Sequence, residues 1–197
     1  MRYGVHQKRD TRERVLCEAA RAFRAHGPQG VSVQDVMRRA GLTHGGFYAY
    51  FASKDELLCN AIERMFDEAL QRWELATVKC PPAHGLLNYF NFYLSHLHVE
   101  QPQSGCPIAA LASDQPRLAP KARQAFAAGT ERLQQAIASH LEQMGYAQPA
   151  QLAVSVLNEL VGAIVLARCA PDRERAGQTL EASRHQLTAR LGLAAPA

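Results

Sequence analysis

The run Thr43-His44-Gly45-Gly46-Phe47-Tyr48-Ala49-Tyr50-Phe51-Ala52-Ser53-Lys54 crowds hydroxyls, an imidazole, two adjacent glycines and a cation into one short stretch. Tyrosine hydroxyls and a lysine suit phosphate oxygens, contacts that orient a protein on a duplex without reading its sequence. Thr43 and His44, if they open a helix, stand where side chains reach base edges in a major groove. Glycine inside a helix costs about 1 kcal/mol relative to alanine. The pair Gly45-Gly46 therefore points to close approach by a partner, or to a flexible helix start. A second chemical feature is Ser104-Gly105-Cys106-Pro107-Ile108. Proline is favoured at the first position of a helix, which would leave Cys106 beside free amides that favour a thiolate. The alternative is a small apolar residue packed where two helices meet. A third is the set Trp73, Tyr89, Phe90, Phe92, Tyr93, His96 and Phe126. Aromatic walls with a few polar tips are the usual makeup of a small-molecule pocket, and equally of a core.

Against these, several chemistries have no support. No Ser/His/Asp grouping, metal-ligand spacing or phosphate-binding glycine loop occurs, so no catalytic residue, metal or cofactor is expected. An enzyme using Cys106 with His96 or His98 is the competing class. The five cysteines, Cys17, Cys59, Cys80, Cys106 and Cys169, are widely spaced with no CxxC pair and are expected to be free thiols. Charge is uneven: residues 1–60 carry ten Lys/Arg against six Asp/Glu, whereas residues 61–197 carry twelve of each. A basic head on a neutral body is the electrostatic footprint of one end meeting phosphate. Lys8, Arg9, Arg12, Arg14, Arg38 and Arg39 are its candidate contributors. No run of about eighteen uncharged apolar residues suggests a membrane span. The basic N-terminus lacks the apolar core of a signal peptide, so the cytoplasm is the expected compartment.

The elements that must position these residues are helical. Val15, Leu16, Ala19, Ala20 and Phe23 recur at helical spacing until Gly27-Pro28. Ser32 and Asp35 have the spacing of a capping pair for a second, short helix that Gly41 ends. Thr43 caps a third short helix through Tyr50, and Ser53-Lys54-Asp55-Glu56 opens a long one reaching about Trp73. Cys80-Pro81-Pro82 breaks the chain. Leu86 to Leu97 then reads as one helix, apolar on most faces and buried. Helices over about 107–113, 120–144, 149–168 and 173–191 complete an all-α chain. Val154 to Ala167 is apolar on more faces than one core needs, as expected if a second subunit covers one of them, and Gly162-Ala163 would permit close helix approach.

The segment VLCEAARAFRAHGPQGVSVQDVMRRAGLTHGGFYAYFASKDELL resembles the DNA-binding head of TetR-family regulators along its whole length. It has the Ala-Ala-x-x-Phe core at Ala19 to Phe23, the small cap Ser32, the turn Ala40-Gly41-Leu42-Thr43, the aromatic run Phe47 to Phe51, and the Ser53 to Leu57 helix start. The resemblance implies a helix-turn-helix head over residues 1–55 and a ligand-binding, dimerising body over residues 56–197. It implies Ser32, Thr43, His44, Gly45, Gly46, Tyr48, Tyr50 and Lys54 as the DNA-binding set, with Tyr48 and Lys54 on phosphate. Its expected partners are double-stranded operator DNA, a small-molecule effector and a second copy of the chain, with no membrane. Trp73, Tyr89, Phe90, Tyr93, His96, Cys106 and Phe126 are the pocket candidates. The Gly-Cys-Pro-Ile run resembles a subgroup in which a cysteine senses electrophiles or oxidants.

Overall fold

Glycines and capping side chains divide the chain where local chemistry demands a break. In the computed structural model, which describes residues 2–193 and the side chains from residue 6 onward, every regular element is helical and no strand occurs among the described residues. α1 (Arg2–His26) stops where Gly27 turns to φ +70°, and its amide still bonds the Phe23 carbonyl at 2.9 Å. α2 (Val33–Arg39) begins at Ser32, whose Oγ accepts the Asp35 amide at 3.1 Å while Asp35 Oδ2 accepts the Ser32 amide at 3.3 Å. That reciprocal pair satisfies two amides that the first turn would leave free. Gly41, also at φ +70°, ends the helix.

The third element differs from expectation. His44–Ala49 forms a 3-10 turn, and Thr43 contributes its carbonyl to the Gly46 amide at 3.1 Å but no side-chain cap. Two glycines weaken α-helical propagation, while burial of Phe47 and Phe51, stacked 5.8 Å apart, holds the tighter turn in place. α3 (Lys54–Thr77) starts at Ser53, which accepts the Glu56 amide at 3.1 Å, and continues a turn beyond Trp73.

The body departs from expectation once. The stretch from Leu86 to Leu97 is two helices: α4 (Pro82–Tyr93) ends at Leu94, and Ser95 caps α5 (His96–Glu100) through the His98 amide. Nor is the stretch uniformly buried, since Phe92 and Leu97 are exposed. A 3-10 turn at Pro102–Ser104 leads into the five-residue α6 (Pro107–Leu111). α7 (Pro120–Gln143), α8 (Pro149–Arg168) and α9 (Arg173–Arg190) follow. α3 is the spine, packing on α1 on one side and on α7 and α4 on the other. Its Phe66 ring lies so close to Gly129 of α7 that a Cβ there would overlap it. α8 has the length and composition of a membrane-crossing helix, but it is packed between α7 and α9 and buries Val156, Leu157, Leu160 and Ile164 in the common core.

Candidate nucleic-acid interface and body cavity

α1 packs on α2, and α2 on the His44–Ala49 turn, through apolar side chains that leave the polar ones outward. Phe23, Val36, Met37, Phe47 and Phe51 are buried, whereas Thr43, His44, Gly45 and Tyr48 are exposed, Tyr48 at 72%. Gly46, Tyr50 and Lys54 are partly covered. A Cβ at Gly45 would meet nothing, and one at Gly46 would find ordinary contacts at 3.8 Å or more, so packing inside the chain does not require either glycine. Ser32 is exposed, but its hydroxyl is committed to Asp35, to which it donates at 2.6 Å. That bond, first, and the Ser32 amide hold the Asp35 carboxyl below its ordinary range.

The candidate cations divide by geometry. Arg12 lies 4.8 Å from the centre of the Phe51 ring and donates to Asn60 Oδ1 at 3.0 Å, and Arg38 pairs with Asp35 at 2.7 Å. Lys8, Arg9, Arg14 and Arg39 are exposed.

In the body, Tyr89, Tyr93 and Cys106 meet at a void of about 10 Å³, room for a single water molecule. Phe92, His98, Arg72 and Ser104 complete its polar and aromatic lining. The other pocket candidates do not line it. Trp73 is buried edge-on against Tyr89 and His140, Phe126 packs edge-on against Phe66, and Phe90 is core. His96 instead faces Gly177 on α9. The void takes His98, because the break at Leu94 turns the face that a continuous helix would have presented. Burial foremost, opposed by the Tyr93 carbonyl and aided by Arg168 and Arg72, depresses the His98 ring to about 4. Its Nδ1 is 2.7 Å from the Tyr93 carbonyl and its Nε2 accepts the Cys106 amide at 2.9 Å. Burial first, then the neighbouring Cys106, pushes the Tyr89 and Tyr93 hydroxyls up, so both remain protonated.

Cys106 stands at the N-cap of α6 with Pro107 next, the position expected from sequence. Its side chain nevertheless makes no capping bond and is only 5% exposed, while Cys169 is exposed. Faster reaction at Cys106 than at the other four thiols is therefore not what this placement provides, since reactivity requires access.

Sequence reasoning missed the residue that ties the head to this cavity. Arg24, at the end of α1, is buried and ion-paired with Glu68 of α3. Its Nε donates to the Gln103 carbonyl at 3.0 Å and its Nη1 to the Gly105 carbonyl at 3.4 Å. From the other side, Arg168 at the end of α8 donates to the His98 carbonyl at 3.0 Å. The loop before Cys106 is thus held by the head helix and the α5 segment beside it by α8. The signal was present: Arg24 is four residues after Ala20 and falls on the buried stripe of Leu16, Ala19, Ala20 and Phe23, where an unpaired charge would be costly.

Two family models match the chain: "Bacterial regulatory proteins, tetR family" over residues 15–60 and "Transcriptional regulator LmrA/YxaF-like, C-terminal domain" over residues 82–181. Among curated relatives from Bacillus subtilis (strain 168), the chain is similar to the uncharacterized HTH-type transcriptional regulator YfiR. The two are 33% identical over 67 residues, 34% of this chain and 33% of that protein. The HTH-type transcriptional regulator LmrA is 25% identical over 116 residues, 58% of this chain and 59% of the relative. The chain thus spans only part of the length of both. Of solved structures, reduced E. coli NemR superposes with a TM-score of 0.81 at 22% identity, covering 91% of this chain and 96% of that one. A TetR transcriptional regulator from Chloroflexus aurantiacus J-10-FL does so with a TM-score of 0.81 at 23% identity, covering 95% and 96%. These two likenesses concern the fold. Because the outward-facing head matches the one model and the cavity-bearing body, half of the chain, matches the other, this protein belongs to the TetR family of DNA-binding transcriptional regulators.

Proposed function

We propose that the protein is a ligand-responsive repressor that binds a palindromic operator as a homodimer in the cytoplasm, where its DNA is. Residues 1–55 serve as the DNA-binding head and residues 56–197 as the effector-binding and dimerising body. The observation that carries this reading is the division of the Thr43 to Lys54 run into a buried aromatic half and an exposed polar half. Thr43, His44, Gly45 and Gly46 are the groove-facing set. Tyr48, Tyr50 and Lys54 are the phosphate set, with Ser32 acting through the cap of α2. Homodimerisation is favoured by α8, whose exposed Val154, Val165 and Leu166 leave apolar surface uncovered in a single chain. Responsiveness is favoured by Arg24, which makes the loop beside the cavity a direct neighbour of the head.

The test is fluorescence anisotropy with duplexes flanking the protein's own gene, across a salt series. Affinity for one near-palindromic site is expected to fall steeply with salt. Lys54→Ala should weaken specific and random DNA alike and lower the log–log salt slope by about 1. Thr43 or His44 substitutions should instead change the preferred bases. Equal, weak binding to every duplex would defeat the reading, and a reporter assay in which loss of the protein lowers transcription would make it an activator.

A second reading, sensing through a thiol, is favoured by the Cys106 side chain lining the same void. It has iodoacetamide releasing the operator from wild type but not from Cys106→Ser. Equal release from both proteins would leave a noncovalent effector.

A further inference from the structure

Arg72 is a cation without an ion-pair partner among the described residues. It stands on α3 where the inner void meets an outer groove of about 340 Å³ formed with Leu75, Ala76, Asn88 and Phe92, and it lines both. It is half-buried, and no carboxylate or carbonyl among the described residues pairs with it. The carboxylate one turn earlier, Glu68, is already taken: Oε2 accepts from Arg24 and Oε1 from Arg64 at 3.1 Å. Burial first, and the Arg24 charge second, weigh against the charged form of Arg72 more than Glu68 favours it, and the charge of an incoming anion would offset both.

A second observation points to a ligand at the same place. Tyr93 lines the void and is only 2% exposed, and its buried hydroxyl finds no partner beyond the nearby, weakly accepting sulfur of Cys106. A buried hydroxyl in this state lacks an acceptor oxygen. The surroundings define the rest of the guest. The void is too small for a ring, whereas the groove outside it is walled by Phe92, 41% exposed and stacked on His98 at 14°, and by Leu75, 71% exposed. Flat apolar surface outside, a free guanidinium at the neck and an orphan donor inside fit one kind of molecule.

We propose that this site takes a small aromatic carboxylate. Its ring lies in the outer groove against Phe92 and Leu75, and its carboxylate spans the planar fork of Arg72. One oxygen faces the void, where Tyr93 donates to it. The proposal rests on the reading of the protein as an effector-responsive regulator, and names the chemical class of the effector.

The test is isothermal titration of the full-length protein with 2-naphthoate and with its neutral counterpart 2-naphthamide. Trp73 fluorescence is a second readout, because the sole tryptophan lies 4.7 Å from the Tyr89 ring at the void. Wild type is expected to bind the acid at least tenfold more tightly than the amide. Arg72→Gln should remove that preference, Arg72→Lys should keep part of it, and Tyr93→Phe should weaken the acid severalfold. Absence of saturable 2-naphthoate binding at millimolar concentration, equal affinities for acid and amide, or an Arg72→Gln protein that binds the acid normally would each overturn the proposal. Operator binding is measured separately without ligand. A protein that binds its operator yet ignores 2-naphthoate defeats the site alone, and one that binds 2-naphthoate through Arg72 yet ignores DNA defeats the regulatory reading alone.

Discussion

His98 is a histidine whose two ring nitrogens are already assigned. A carbonyl only accepts, so Nδ1 carries the proton toward Tyr93; the Cys106 amide only donates, so Nε2 must be bare. Protonating Nε2 would set two donors against each other in a buried place, in line with a ring depressed to about 4. In the unfolded chain the same ring titrates near 6.5. On acidification the unfolded chain therefore binds the proton first. The stability supplied by neutral His98 is complete above pH 6.5, declines between 6.5 and about 4, and is gone below. Its full size is about 3 kcal/mol. Urea unfolding at pH 7 and pH 4.5 should show a markedly smaller loss for His98→Gln than for wild type. Parallel losses would remove His98 as the titrating group. At this scale the sequence was a poor guide: helical periodicity run straight through Leu94 selects His96, and the void takes His98. The same reasoning could not separate Tyr89 and Tyr93, which line the void, from Phe90, which does not. Arg72 was missed altogether, since an arginine on an amphipathic helix reads as solvated until its neighbours are known.

Helices were far more legible, because their limits are set by nearby residues. Ser32 with Asp35, Ser53 with Glu56, Gly27, Gly41 and the prolines at 82, 107, 120 and 149 act within a turn of where they stand, and the observed ends follow them. The failures came where tertiary packing decided: the 3-10 turn at His44–Ala49 and the interruption at Leu94. α8 is the element whose composition asks most plainly for a partner. Its inner face is core, yet Leu166 remains 63% exposed and a Cβ added at Gly162 would meet nothing in the chain. Light scattering at micromolar concentration is expected to give twice the 21.7 kDa chain mass. Leu166→Glu, which places a charge on that face at no expense to the monomer core, should shift the protein toward the single-chain mass. A wild-type monomer, or a fully dimeric Leu166→Glu protein, would move the interface elsewhere.

For the molecule as a whole, the division into a basic head and a neutral body was visible in charge counts and in the TetR-like run. The join between them was not, because it depends on pairs far apart in sequence. Arg24 meets Glu68 forty-four residues away and Gly105 eighty-one residues away. No local pattern encodes such a contact; the only hint is a charge on an apolar stripe. Through it the cavity loop, α1 and α3 share one buried guanidinium, while Arg168 ties α5 to α8. A ligand that displaces the loop from Arg24 leaves that charge with fewer acceptors, and the neighbouring end of the head helix must respond.

Arg24 also limits how freely this head can be transplanted. Fusing residues 1–55 to an unrelated body would sever α3 after its first two residues and strip Arg24 of Glu68 and both loop carbonyls, exposing an unmatched cation at the seam. A working hybrid would have to carry α3 as far as Glu68, together with a recipient loop offering two carbonyls where Gln103 and Gly105 stand. The portable unit is thus larger than the helix-turn-helix, and its true edge lies inside the ligand-binding half.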